Sequence, residues 1–155
     1  GTNHGELIQP PQQIETGALA ARSAPPANEA LRGHWSLMLV WPQACEQDCR
    51  GVLELLGRVH LALNKDMDRV RRVLVLPRQA PLVSASADVY EAPAAQLREW
   101  SGGEPAVQLV DPQGLRMMHY PVPLDSSGLL KDLQRLLRIS DERIETLAGA
   151  GNREP

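Results

Sequence analysis

The sequence predicts an α/β domain built on a central, mixed four-stranded sheet flanked by helices. Three observations predict it. An apolar run from Trp35 to Trp41, broken only by Ser36, gives way after Glu46 to a helical period in which Val52, Leu55, Leu56, Val59 and Leu63 line one face. A second continuous apolar run, Val73 to Leu76, follows that helix. A hairpin pattern and a leucine-striped helix then close the chain. With 155 residues, 43% apolar and 23% charged, the chain has the length and composition of one domain with a packed core. Three Trp, two Tyr and no Phe leave that core mainly to Leu, Val, Ile and Ala. A net charge of −3 argues against a nucleic-acid partner, which needs clustered Lys and Arg.

Residues 1–30 read as an extended lead-in or linker. Pro10-Pro11, Gly17 and Pro25-Pro26 interrupt any apolar period, a pattern shared by a tether behind a membrane anchor and by a plain tail. The domain proper is expected over 31–148, with 149–155 as a flexible tail. Trp35–Trp41, flanked by Gly33 and Pro42, suits a strand buried on both faces. The helix after it and the run Val73–Leu76 complete a strand–helix–strand unit with a right-handed crossover. Gln79–Ala92, rich in Ala, Ser and Pro, reads as an irregular connection, and Pro93–Trp100 as a short helix stopped by Gly102-Gly103. Ala106–Val110 and Leu115–Tyr120, around the turn Asp111-Pro112-Gln113-Gly114, read as an antiparallel hairpin. Leu129, Leu130, Leu133, Leu136 and Leu137 stripe the last helix, with Ser126 or Ser127 expected as N-cap and Asp125 at the positive end of the dipole. The order β-α-β-α-β-β-α, with a cysteine pair at the start of the first long helix, is that of the thioredoxin fold.

The chemistry is expected at that pair, Cys45 and Cys49, the only cysteines in the chain. Two residues four apart on one helical face would stand about 6 Å apart between Cα atoms, within disulfide range. A cysteine at a helix N-terminus gains thiolate character from the dipole and free N–H groups; Glu46 and Asp48 oppose this and Arg50 assists. Three readings stand side by side: a redox pair in which Cys45 attacks and Cys49 resolves, a soft-ligand site for Cu(I) or Zn, and a structural bridge. Arg69, Arg71 and Arg72 read as a solvated edge, with phosphate or lipid headgroup contact as the alternative.

L-x-G-x-W, the apolar strand, C-x-x-x-C, the helix with V-H-x-A-L, V-D-P-Q-G and the terminal G-L-L-K-D-L-x-R-L-L together resemble the Sco/SenC family. More narrowly, they resemble Sco-like proteins linked to cytochrome c oxidase assembly, over Leu31 to Ser140. The resemblance implies a thioredoxin fold on the periplasmic side of the inner membrane, held by an N-terminal anchor. It also implies copper bound by the two cysteines and a distal histidine, or exchange with the thiols of an oxidase subunit or another copper or thiol protein. Cys45 and Cys49 match the two cysteine ligands. The alternative is a non-catalytic interaction module of the same fold, braced by a structural disulfide.

This chain departs from the family pattern in two places. Glu46 and Arg50 replace the prolines that usually follow each cysteine, and Trp100–Ala106, where the distal histidine belongs, holds no histidine. Pro105 stands instead where thioredoxins of the TlpA type carry a cis-proline, and a cis X-Pro bond costs only about 0.5–1 kcal/mol relative to trans, which leaves both isomers open. Trp41 and Pro105 are thus the candidate binding residues beside the pair. Of the histidines, His4 falls in the lead-in, His34 at the far end of the first strand, and His60 about 16 Å along the helix. His119, expected to pair opposite Ala106 and to lie ~10 Å from the helix start, is the candidate third copper ligand.

Overall fold

The structure, a computed structural model, describes residues 3–81 and 84–152. Its seven strands are β1 (Glu6–Gln13), β2 (Ala20–Ser23), β3 (Trp35–Val40), β4 (Val70–Pro77), β5 (Asp88–Ala92), β6 (Ala106–Val110) and β7 (Leu115–Pro121). They form one mixed sheet in the order β1-β7-β6-β3-β4-β5-β2. The helices are α1 (Ala27–Ala30), α2 (Gln47–Ala62), α3 (Ala94–Ser101) and α4 (Ser126–Asn152).

The expected α/β thioredoxin-like architecture is present, but the sheet has seven strands rather than four. The four expected strands form its contiguous centre, β7-β6-β3-β4. The others come from segments whose apolar pattern is weak. Residues 1–30, expected as an extended lead-in or linker, supply both edge strands: β1 pairs antiparallel with β7 and β2 with β5. Edge strands need little burial and tolerate proline, and β1 carries Pro10-Pro11 where its register shifts between Leu7 and Gln12. The Ala- and Ser-rich connection ends in β5, parallel to β4.

Every residue of β3 is buried, as a strand covered on both faces requires. Leu37 and Leu39 point into one core, with α2 and α4; Met38 and Val40 point into the other, with α1 and α3. In α2 the stripe Val52, Leu56, Val59 and Leu63 is buried as its period requires, while Leu55 is only half-buried. The N-cap of α4 is Asp125 rather than either serine, since its carboxylate accepts the Gly128 N–H at 3.0 Å. That helix runs through Asn152, so 149–152 continue it; residues 153–155, the rest of the expected tail, lie outside the described residues.

Candidate functional site

Cys45 and Cys49 are joined as a disulfide, with Cα atoms 5.1 Å apart. The separation is shorter than two positions inside one helix would give, because Cys45 is not in the helix. β3 ends at Val40, Trp41 extends its ladder by donating its N–H to the Val75 carbonyl at 3.0 Å, and the chain then turns through Pro42–Glu46. Glu46 is the N-cap of α2, and Cys49 is the third residue of its first turn. The bridge therefore ties the loop to the helix start. Both cysteines are buried, Cys49 wholly and Cys45 with 6% of its surface exposed, which makes Cys45 the member of the pair nearer to solvent. The Trp41 indole N–H donates to the Ala44 carbonyl at 3.2 Å and holds the turn closed from beneath.

Pro105 lies at the same end of the sheet. It precedes Ala106, which pairs antiparallel with Val40, so the same register carried one residue further sets it opposite Trp41. The Glu104–Pro105 bond is trans; the cis X-Pro bonds are Gln9–Pro10 and Val122–Pro123, the latter just past β7 and also at the disulfide end.

His119 does not join the cysteines. It pairs opposite Gln108 rather than Ala106. On β7, Met118 and Tyr120 point into the core that holds the cysteines, so His119 between them points to the other face. There its Nδ1 accepts from the Gln108 amide at 3.1 Å, while Gln108 also donates to the Trp100 carbonyl and accepts from Arg116 at 3.2 Å. Arg116 lies over the Trp100 ring, 5.9 Å from its centroid, and burial lowers its guanidinium pKa, opposed by Glu99. His60 bonds the Met67 carbonyl at 2.8 Å, and His4 lies near α4 through its backbone.

A second polar centre, which no sequence motif marks, lies on the cysteine side. Asp132 of α4 is buried and accepts the Tyr120 hydroxyl at 2.5 Å and the backbone N–H groups of His4 and Gly5 at 3.0 and 2.9 Å. Burial first, and then this hydrogen bond, push the Tyr120 hydroxyl well above the usual phenol range. Gly5 lies flat on the Tyr120 ring, where a Cβ would stand 2.5 Å from it. The one signal available was an acid three residues after Leu129, inside the apolar stripe.

The donor set at the pair is two sulfurs. Among the described residues no third His, Cys, Asp or Glu completes a metal site there. The residues thus fall short of the three-ligand copper site that the Sco resemblance implies. Among the described residues no helix is long and apolar enough to cross a membrane.

No curated protein matches the chain. Among solved structures, a protein described as the thiol:disulfide interchange protein DsbE from Chlorobium tepidum superposes with a TM-score of 0.55 at 15% identity, covering 80% of this chain and 96% of that one. ScoI from Arabidopsis thaliana with copper bound gives 0.54 at 11% identity, covering 71% and 88%. A SCO1/SenC family lipoprotein from Bacillus anthracis gives 0.54 at 11%, covering 84% and 99%. At these identities the likeness is one of fold, and it is thioredoxin-like. Residues 35–140 match a family over more than half of the chain, and the protein belongs to it: the transmembrane-like, thioredoxin-like, C-terminal domain family.

Proposed function

We propose that the protein is a Sco-like thiol–disulfide oxidoreductase that acts through Cys45 and Cys49, tethered on the periplasmic side of the inner membrane and serving cytochrome c oxidase assembly. The observation that carries the redox reading is the asymmetry of the pair: Cys45 in the loop, nearer to solvent, and Cys49 wholly buried in the first turn of α2, already joined as a disulfide. The oxidase, the tether and the compartment rest on the family resemblance and on the fold shared with Sco and DsbE proteins.

In the oxidising direction a partner thiolate attacks the Cys45 sulfur, and the Cys49 thiolate leaves. The second partner thiolate then attacks the partner's own sulfur in the mixed disulfide. Cys45 leaves as a thiolate, the partner becomes oxidised, and the pair is reduced by two electrons. In the reducing direction Cys45 attacks the partner's disulfide and Cys49 resolves. The dipole and free N–H groups at the start of α2 favour the thiolates, while Glu46 and Asp48 disfavour them. Half-buried Pro105 offers a flank on which a partner chain would rest, while Trp41 belongs to the core.

Copper handling is the second reading, favoured by the soft character of two thiolates on one corner. With two donors present, the third would come from the partner, so no step is routed through the metal. The deciding experiment is a redox titration against glutathione. A potential above about −300 mV with turnover of a dithiol substrate supports exchange. A lower potential without turnover assigns the bridge to bracing the fold.

A further inference from the structure

A groove of about 600 Å³ runs from the disulfide end of α2 along the outer side of that helix. Its floor is apolar, formed by Leu53, Met67 and Leu61, the last 65% exposed. Its rim is cationic. Arg50 and Arg58 stand on the helix and Arg72 on β4, against a single carboxylate, Glu54, in a chain whose net charge is −3. Arg72 is set in place: its guanidinium donates to Ser86 Oγ at 3.1 Å and passes over Gly57, where a Cβ would stand 3.1 Å from it.

The other arginines of this region are neutralised. Arg69 pairs with Asp66 and Asp141, and Arg71 with Asp88. Arg50 and Arg58 make no ion pair among the described residues. Eight residues of helix separate them, about 12 Å, the reach of roughly four residues of extended chain. Arg50 directly follows Cys49, so the groove begins at the same end of α2 as the disulfide.

We propose that this groove docks an extended, acidic segment of the thiol-bearing partner, with acidic residues on Arg50, Arg58 and Arg72 and apolar residues on the Leu53–Met67 floor. The partner's identity as a thiol protein rests on the exchange function proposed above; the groove's charge preference does not.

The test uses the oxidised full chain and fluorescent peptides of about eight residues, one alternating Asp with Leu and one alternating Lys with Leu, read by anisotropy. The Asp peptide is expected to bind and to weaken about tenfold in moderate salt, and Arg58→Glu to weaken it about tenfold or more, with exchange of the reduced chain against hydroxyethyl disulfide unchanged. Equal binding of the two peptides, or wild-type affinity in Arg58→Glu, would overturn the proposal. So would binding only to anionic phospholipid vesicles, lost in Arg58→Glu, which would assign the groove to a membrane. Failure of the reduced wild-type chain to exchange with hydroxyethyl disulfide would overturn the exchange function instead, and the anisotropy would still decide the groove.

Discussion

Two regions of the molecule, the network beneath α3 and the disulfide corner at the start of α2, treat polar chemistry in opposite ways. On the α1/α3 face, Gln108 is engaged at both ends of its amide beneath a helix, by the Trp100 carbonyl, His119 and Arg116, while the Arg116 Nε is buried without a hydrogen-bond partner. On the α2/α4 face, the reactive group is a disulfide among Trp41, Val52 and Leu56, side chains that offer it no strong hydrogen-bond partner. It sits where the backbone has left the sheet and the next helix has not yet begun. A buried polar group bonded on all sides is stabilised as it is and has little left to offer a ligand. A sulfur held at a corner, in the cysteine nearer to solvent, can change partners. On the exchange function proposed above, chemistry belongs to the corner and structure to the network beneath α3.

The strongest way to break this comparison is to remove the corner's nucleophile. Cys45→Ser is expected to abolish disulfide exchange, and Cys49→Ser to accumulate the mixed disulfide with a disulfide substrate, one half of which leaves as a thiolate, visible as an added mass on the intact protein. Turnover retained in Cys45→Ser would overturn the mechanism. Next in size is the buried carboxylate on the same face. Asp132→Ala leaves the Tyr120 hydroxyl and the N–H groups of His4 and Gly5 without their acceptor. A loss of about 3 kcal/mol in urea unfolding is expected, with β1 released from β7 in hydrogen exchange while β3 and β4 stay protected. A loss confined to a few tenths would mean that the strand is held by its ladder alone.

That latch also marks the limit of what the sequence showed. The Trp35–Val40 strand, the α2 stripe and the hairpin were legible because burial on one or two faces imposes a period on the residues. The corner was legible because a cysteine pair falls where one period gives way to another. Edge strands carry no such imprint: β1 contains two prolines and is exposed along most of its length, so its pairing with β7 shows only in the fold. Asp132 looked like one more helical charge, because its partners come from residues 4, 5 and 120. His119 misled for a different reason. Its expected partner Ala106 and its observed partner Gln108 lie two residues apart on β6 and share the face opposite Val107 and Leu109, so either register turns His119 away from the cysteines; nearness to one end of the sheet does not fix the face.

A smaller effect compares the two buried tyrosines, one on each face. Tyr90, whose hydroxyl donates to the Pro25 carbonyl at 2.7 Å, has its pKa pushed up to about 12 by burial and by Asp88, against Arg71. Tyr120 is shifted in the same direction. Unfolded tyrosine ionises near 10, so the unfolded state loses its proton first. This contribution to stability is complete below pH 10 and falls as the pH rises toward 12, by about 1.4 kcal/mol per unit for each tyrosine. Urea midpoints over that interval should fall less steeply in Tyr90→Phe than in the wild-type chain. Equal slopes would mean that the Tyr90 hydroxyl ionises in the fold as it does in water.

The smallest expected effect is the sharpest test of the division between faces. If the sheet separates His119 from the cysteines, His119→Ala should bind Cu(I) under a competing chelator as the wild-type chain does, and should exchange disulfides at the same rate. The substitution removes one acceptor from the Gln108 amide, at a half-buried position where water can replace it, so the stability change should stay within about 1 kcal/mol. Copper affinity lowered in His119→Ala but not in His60→Ala would require β7 to present its other face to the pair. That would mean a one-residue slip of the hairpin, moving Met118 and Tyr120 out of the core. Unchanged affinity in both variants confines any metal binding by this chain to its two sulfurs and whatever ligand a partner brings.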